Sequence, residues 1–306
     1  MGKIAFVFSG QGAQKAGMAR EYFDSNPSVH DLFLQAEEYR KGTMEQCFEG
    51  DSETLKQTEN TQPCLYLADL AAALALESAG IVPQAVAGFS LGEIPSLAFA
   101  NAFSYLDGFK IACKRGELMA NAAKQTPASM MAVIKLENKT VEEICKKYSA
   151  VYPVNYNCPG QLVVSGSDNE LEQFKEDIKQ AGGKAIPLAV SGGFHSPFMN
   201  SAAKDFGDYL STIKVNIPEI DTYSNFTANP YDANPKTLME NQINHPVFWE
   251  MIIRNMAEKG FDIFIEVGVG AVLQRLIKKI LPSAKTFCVQ NNEDISLVLK
   301  EIDTNA

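Results

Sequence analysis

The chain has 306 residues, 46% of them hydrophobic and 21% charged. That length predicts one large domain carrying a smaller one, and the composition excludes disorder, collagen and low-complexity sequence. With 27 basic residues against 37 acidic ones, the net charge of -10 excludes broad attraction to nucleic acid or an anionic membrane as the main business.

Leading the chain, Met1-Gly2-Lys3-Ile4 runs straight into a strand pattern with no signal-peptide character, and Phe6 spoils the myristoylation pattern. The expected location is the cytoplasm. Ile4 to Phe8 reads as a buried parallel strand that ends in the tight loop Ser9-Gly10-Gln11-Gly12. Gln62 to Ser78 reads as a helix with Pro63 in its first turn. Its apolar run from Leu65 to Leu76 is interrupted by Asp69 and is too short to span a membrane. Ala85 to Phe89 is a second buried strand, turning sharply through Gly88-Phe89-Ser90-Leu91-Gly92 into a helix from about Leu91. Asp107 to Ala123 is an amphipathic helix.

From here the rhythm changes. Strands over Met130 to Ile134, Val151 to Asn157, Leu162 to Ser165 and Lys184 to Val190 alternate with helices over Val141 to Tyr148 and Asn169 to Ala181. This β-α-β-β-α-β order is the ferredoxin-like unit. The expected fold class is therefore α/β: residues 1–127 and 192–306 form a large domain with a mainly parallel sheet and flanking helices, and residues 128–191 an inserted ferredoxin-like small domain. In the last part, strands are expected over Asp221 to Phe226, Phe261 to Val267 and Lys285 to Val289, with helices over Val247 to Lys259 and Val272 to Ile280.

Gly88-x-Ser90-x-Gly92 fits a nucleophile elbow, in which small flanking residues let the chain turn tightly enough to expose the serine hydroxyl above the strand ends. The pattern alone also describes an ordinary turn, but the strand before it and the helix after it favour catalysis. The helix start at Leu91 offers unpaired N–H groups to an oxyanion. A serine needs a base, and the chain has only three histidines, His30, His195 and His245. His195 follows a strand in the loop Ser191-Gly192-Gly193-Phe194-His195 and is the best placed. His30 looks like a surface helix start and His245 like part of a turn. No acid is evident in a loop before His195, so a Ser–His dyad is expected rather than a triad. Arg115 divides evenly between gripping a carboxylate or phosphate and pairing with Glu117 on the surface. The six cysteines form no CxxC and no Cys/His cluster, so neither metal nor disulfides are expected.

Taken together, these segments resemble the malonyl-CoA:acyl carrier protein transacylases over nearly the whole chain. The resemblance rests on Phe8-Ser9-Gly10-Gln11-Gly12, Thr61-Gln62-Pro63, Gly88-Phe89-Ser90-Leu91-Gly92-Glu93, Arg115-Gly116 with Met119, Asn155-x-Asn157-x-Pro159-Gly160-Gln161, Phe194-His195-Ser196, Gln242-x-x-His245-Pro246-Val247 and Glu266-Val267-Gly268. It implies a ping-pong transfer of malonyl from malonyl-CoA to the phosphopantetheine thiol of an acyl carrier protein in fatty-acid synthesis, with Ser90 as nucleophile and His195 as base. It also implies an oxyanion hole at Gln11 and Leu91, Arg115 on the malonate carboxylate, the main-chain carbonyl of Gln242 orienting His195, and Gln62, Met119, Asn157 and Phe194 lining the pocket. No cofactor is implied, and the family tends toward monomers. Leu91 and Phe194 match malonyl-selective relatives, and Phe194 would crowd a branched acyl group.

The chain departs from the family pattern with Phe89 where His is usual, Ser9 where Pro is usual, and Val269 and Ala271 where Pro and Lys are common. The family's carrier protein is acidic, which against a net charge of -10 calls for a local basic patch, and Arg275, Lys278 and Lys279 share a helix face suited to it. Three other readings use the same residues: an acyl-thioester hydrolase, a non-catalytic carrier-protein docking module, and a trans-acting polyketide acyltransferase.

Overall fold

The structure is a computed structural model that describes residues 2–190 and 192–303. Met1 at the head of the chain and Ser191 in the loop before His195, both used in the sequence reading, lie outside them. Nine strands are described: β1 (Lys3–Phe8), β2 (Ala85–Gly88), β3 (Ser129–Ile134), β4 (Val151–Cys158), β5 (Gln161–Gly166), β6 (Lys184–Pro187), β7 (Asp221–Tyr223), β8 (Phe261–Val267) and β9 (Lys285–Val289).

Five of them make one sheet in the order β7-β2-β1-β8-β9, parallel throughout. Its central strand reads Ile4-Ala5-Phe6-Val7-Phe8, buried at every position because helices cover both faces. On one face Phe6 and Phe8 pack with the helix Thr58–Ser78, while on the other Ala5 and Val7 pack with Trp249, Ile253 and Ile277. Chain order reverses at β1, with β2 on one side and β8 on the other. The crevice beyond the carboxyl ends of these strands is where an open α/β sheet presents ligand-binding loops. The register sets Phe8 opposite Gly88, so the loops that follow β1 and β2 open side by side.

The other four strands make an antiparallel sheet in the order β4-β5-β3-β6, which is the ferredoxin-like order, with the helices Asn138–Cys145 and Asp168–Gln180 packed on a separate core of Met131, Val133, Leu162 and Phe174. Strand β4 is tied to the rest of the chain by main-chain bonds on both sides of Val247, from Tyr156 N to Val247 O and from Val247 N to Val154 O.

Several boundaries differ from the sequence expectation. The helix expected from Gln62 begins at Thr58, so Pro63 lies inside it rather than in its first turn, with buried packing outweighing the lost main-chain bond. Strand β6 stops at Pro187 instead of Val190: Leu188 N makes one more bond to the Met130 carbonyl, and the chain then turns, Val190 N bonding to the Leu188 carbonyl, which brings Leu188 and Val190 to the cleft. Strand β7 stops at Tyr223, since Ser224 and Asn225 spend their polar groups on loop bonds. Helices over Asn200–Ser211 and Pro235–Asn244 were not anticipated, and the second of these carries Gln242.

Candidate active site

After β2 the chain turns through a single 3-10 turn, Ser90–Gly92, before the helix Glu93–Phe99 starts. The turn forces Ser90 into the left-handed region at φ 53. It closes only because its flanks carry no side chain. A Cβ on Gly88 would lie 1.9 Å from the Gly92 carbonyl carbon, and one on Gly92 would lie 2.2 Å from the Phe8 carbonyl oxygen. Asn225 clamps the elbow from the loop after β7, accepting from Ser90 N at 2.7 Å and donating to the Gly88 carbonyl at 2.6 Å.

Among the three histidines, His195 is the one that reaches the serine, with Nε2 2.7 Å from Ser90 Oγ. Its own backbone is left-handed, at φ 61. Nδ1 lies 2.8 Å from the main-chain carbonyl of Gln242, and a carbonyl can only accept, so the proton sits on Nδ1 and Nε2 is left with a lone pair facing the hydroxyl. Burial, reinforced by the positive charge of Arg115, pulls the imidazole down to about 3. The resting ring is neutral at physiological pH. His30 lies in the helix Pro27–Tyr39 stacked on Phe23, and His245 donates from Nδ1 within its own turn to the Asn241 carbonyl.

Arg115 is 1% exposed on the inner side of the helix Tyr105–Gln125. Glu117 pairs instead with Lys114. The guanidinium donates from Nη1 to Gln62 Oε1 at 2.9 Å and from Nη2 to Gln242 Oε1 at 2.8 Å, with Ser90 Oγ 3.3 Å from Nη2. Its Nε has no partner, and no ion pair among the described residues involves it. Burial lowers its pKa to about 10, partly offset by Glu93, so the group stays charged.

Gln11, Gln62, Leu91, Met119 and Phe194 join Ser90, Arg115 and His195 around one narrow cavity of about 100 Å3. Asn157 does not line it. Asn157 faces the adjoining cavity of about 250 Å3, which shares Gln11, Phe89, Asn155 and Leu188 with the first, so the two run together as one cleft between the sheets. Phe89 stands edge-on to Trp249, ring centroids 5.6 Å apart. Ser9, just before the Gln11 loop, donates to the buried Asp69 at 2.8 Å.

The sequence reading assigned no role to Glu93, Asn225 or Tyr231. Glu93 is 1% exposed and accepts from Asn225 N at 2.9 Å, from Gln242 Nε2 at 3.3 Å and from the Tyr231 hydroxyl. Burial pushes its carboxyl up to about 7 against the pull of these donors. A carboxylate heading the apolar run Ile94 to Phe99 was the available signal. Asn225 and Tyr231 sit in a loop with no motif.

A hydroxyl facing a neutral imidazole, with a buried unpaired cation beside it, can transfer an acyl group that carries a negative charge. The sheet and this site together define an α/β acyl-transfer protein. Residues 5–300 match the acyl transferase domain family. The malonyl CoA-acyl carrier protein transacylase of Bacillus subtilis (strain 168) is 36% identical over 317 aligned positions, covering 100% of both chains. The solved malonyl CoA-acyl carrier protein transacylase of Clostridium perfringens superposes with a TM-score of 0.95 at 34% identity, covering 99% of this chain and 98% of that one. A malonyl-transacylase solved with a type II polyketide synthase acyl-carrier protein superposes at 0.93 and 29% identity, covering 98% of this chain and 99% of that one. The chain belongs to the malonyl CoA-acyl carrier protein transacylase family.

Proposed function

We propose that the protein transfers malonyl from malonyl-CoA to the phosphopantetheine thiol of an acyl carrier protein by a ping-pong route through a malonyl-Ser90 ester. Ser90 Oγ attacks the thioester carbonyl while its proton passes to His195 Nε2; the oxyanion is held by the main-chain N–H groups of Gln11 and Leu91; the C–S bond breaks and the imidazolium returns the proton to the leaving thiolate. The second half runs in reverse with the carrier thiol. Gln242 orients the imidazole in place of a triad acid. The observation that carries this reading is the buried Arg115 guanidinium, in contact with the Ser90 hydroxyl and without an anionic partner among the described residues. A malonyl carboxylate there restores the missing ion pair, which an acetyl group cannot do.

Residues 128–191 act in this reading as a small domain forming one wall of the cleft, supported by Asn155 and Leu188 on the cavity surface. Asn157 lies farther out, where the pantetheine arm would pass. The exposed Arg275, Lys278 and Lys279 on the helix Val272–Ile280 offer positive charge to an acidic carrier protein. The protein works as a cytoplasmic monomer and needs no cofactor; no helix among the described residues is long and apolar enough to cross a membrane.

The test is to mix the protein with malonyl-CoA and follow the malonyl group with and without a carrier protein bearing its phosphopantetheine. An ester that persists in water and moves to the carrier thiol is the expected result. Rapid release of free malonate with no persistent ester would assign a hydrolase instead. Comparing fatty-acid and polyketide carrier proteins as acceptors identifies the partner.

A further inference from the structure

Arg115 stands in contact with the atom that must lose a proton. Its Nη2 is 3.3 Å from Ser90 Oγ, and Oγ is 2.7 Å from His195 Nε2, so a full positive charge lies one hydroxyl away from the nitrogen that has to become positive. Arg115 and His195 are 1% and 3% exposed, so water screens this repulsion poorly. Among the described residues no carboxylate forms an ion pair with the guanidinium. Nη1 and Nη2 meet amide oxygens of Gln62 and Gln242, Nε has no partner, and Glu93 is held off by the Gln242 side chain, whose Oε1 accepts from Arg115 while its Nε2 donates to Glu93. The hydroxyl of Tyr231 faces Glu93, and the main chain at Gln242 and His245 faces the imidazole.

We propose that a carboxylate seated on Arg115 is what activates His195 as a base, so that acyl transfer is switched on by the acyl group's own carboxylate or by a separate small monocarboxylate lying beside a neutral acyl group. This deepens, and rests on, the roles of Ser90, His195 and Arg115 given above. The step itself is unchanged: the proton leaves Oγ for Nε2 as the O–C bond forms, and returns from Nε2 to sulfur as the C–S bond breaks. With the carboxylate in place the new imidazolium faces a neutralised ion pair; without it the imidazolium faces a bare guanidinium. The site therefore rejects acetyl in the rate of the chemical step as well as in binding.

The test follows acyl-Ser90 formation by rapid-quench intact mass at saturating malonyl-CoA or acetyl-CoA across pH. Malonyl loading is expected to fall on acidification near the ordinary imidazole value of about 6.5, and acetyl loading to hold at least one pH unit lower. A fall caused by Glu93 would appear at the same pH with both substrates. Formate, compared with chloride at equal ionic strength, is expected to raise acetyl loading about tenfold in the wild type, the equivalent of removing about 1.4 kcal/mol from the barrier, and to do nothing in Arg115→Ala. Either of two results overturns the proposal: acid limbs that coincide for the two substrates, or acetyl loading unmoved by formate at concentrations that compete with malonyl-CoA. Because malonyl ester is measured in the same series, failure of the underlying site reading shows as no adduct at all.

Discussion

His195 Nδ1 lies 2.8 Å from the main-chain carbonyl of Gln242, in a site where the same residue's side chain meets Arg115 at 2.8 Å and the Ser90 carbonyl at 2.6 Å. One glutamine thus touches the imidazole, the guanidinium and the elbow. Gln242→Ala keeps the carbonyl and loses the side chain. Malonyl loading is expected to fall about 10- to 100-fold, less than the ~10²–10⁴-fold expected for His195→Ala. Single-turnover loading of the two variants checks the ranking, and equal losses would mean that the Gln242 side chain is needed to keep the carbonyl in place.

Glu93 and His195 oppose each other in the pH dependence of stability. The Glu93 carboxyl is raised to about 7 in the fold, so its stabilisation is fully present below the ordinary carboxyl value and is lost as pH rises through 7, on the order of 3 kcal/mol in all. The His195 imidazole is lowered to about 3, so its contribution is present above the ordinary imidazole value and is lost as pH falls toward 3. Urea unfolding of Glu93→Gln is expected to show less loss between pH 5 and 8 than the wild type, and His195→Gln less loss below pH 6. Parallel curves for variant and wild type would remove the titration assigned to that group.

Phe194 is 6% exposed and lines the cavity with Ser90 and Arg115. In a space of about 100 Å3 an added methyl on the acyl α-carbon is expected to meet this ring. Phe194→Ala is expected to raise methylmalonyl loading relative to malonyl about 10- to 100-fold, within the range set by one methyl group in a tight pocket. Competition between the two thioesters, read by adduct mass, measures it, and an unchanged ratio would place the branch elsewhere.

Ser9 is the hydrogen-bond partner of Asp69, whose second carboxyl oxygen, Oδ2, has none among the described residues. Burial drives this carboxyl well above the ordinary range. Ser9→Ala is expected to cost about 1–3 kcal/mol by stranding the group. Asp69→Asn, which puts an amide that cannot ionise in place of the buried carboxyl, is expected to cost less. Thermal unfolding of both variants checks the order.

The fold was readable in the sequence where pattern and packing agree. The apolar run from Ile4 to Phe8, the Gly88-x-Ser90-x-Gly92 elbow and the alternation between 130 and 190 each state their element locally, because a buried parallel strand, a glycine-limited turn and a half-buried antiparallel sheet leave different periodicities. The pairing of Ser90 with His195 was readable because histidine is scarce. Arg115 was not: helix spacing alone divided it between solvent and cleft, and it is the distant Gln62 and Gln242 that hold it inward. Glu93, Asn225 and Tyr231 escaped for the same reason. Their partners lie up to 149 residues away along the chain, and a buried carboxylate network has no period.

In the proposed reaction Ser90 carries the malonyl group and Arg115 selects it. Intact mass after exposure to malonyl-CoA, acetyl-CoA and methylmalonyl-CoA, with the adduct mapped by peptide digestion in wild type, Ser90→Ala and Arg115→Ala, tests both halves at once. The expected result is one malonyl adduct on Ser90, absent from Ser90→Ala, weakened in Arg115→Ala, and far exceeding the acetyl and methylmalonyl adducts in the wild type. A malonyl adduct that survives in Ser90→Ala, or acetyl loading as fast as malonyl in the wild type, would contradict it.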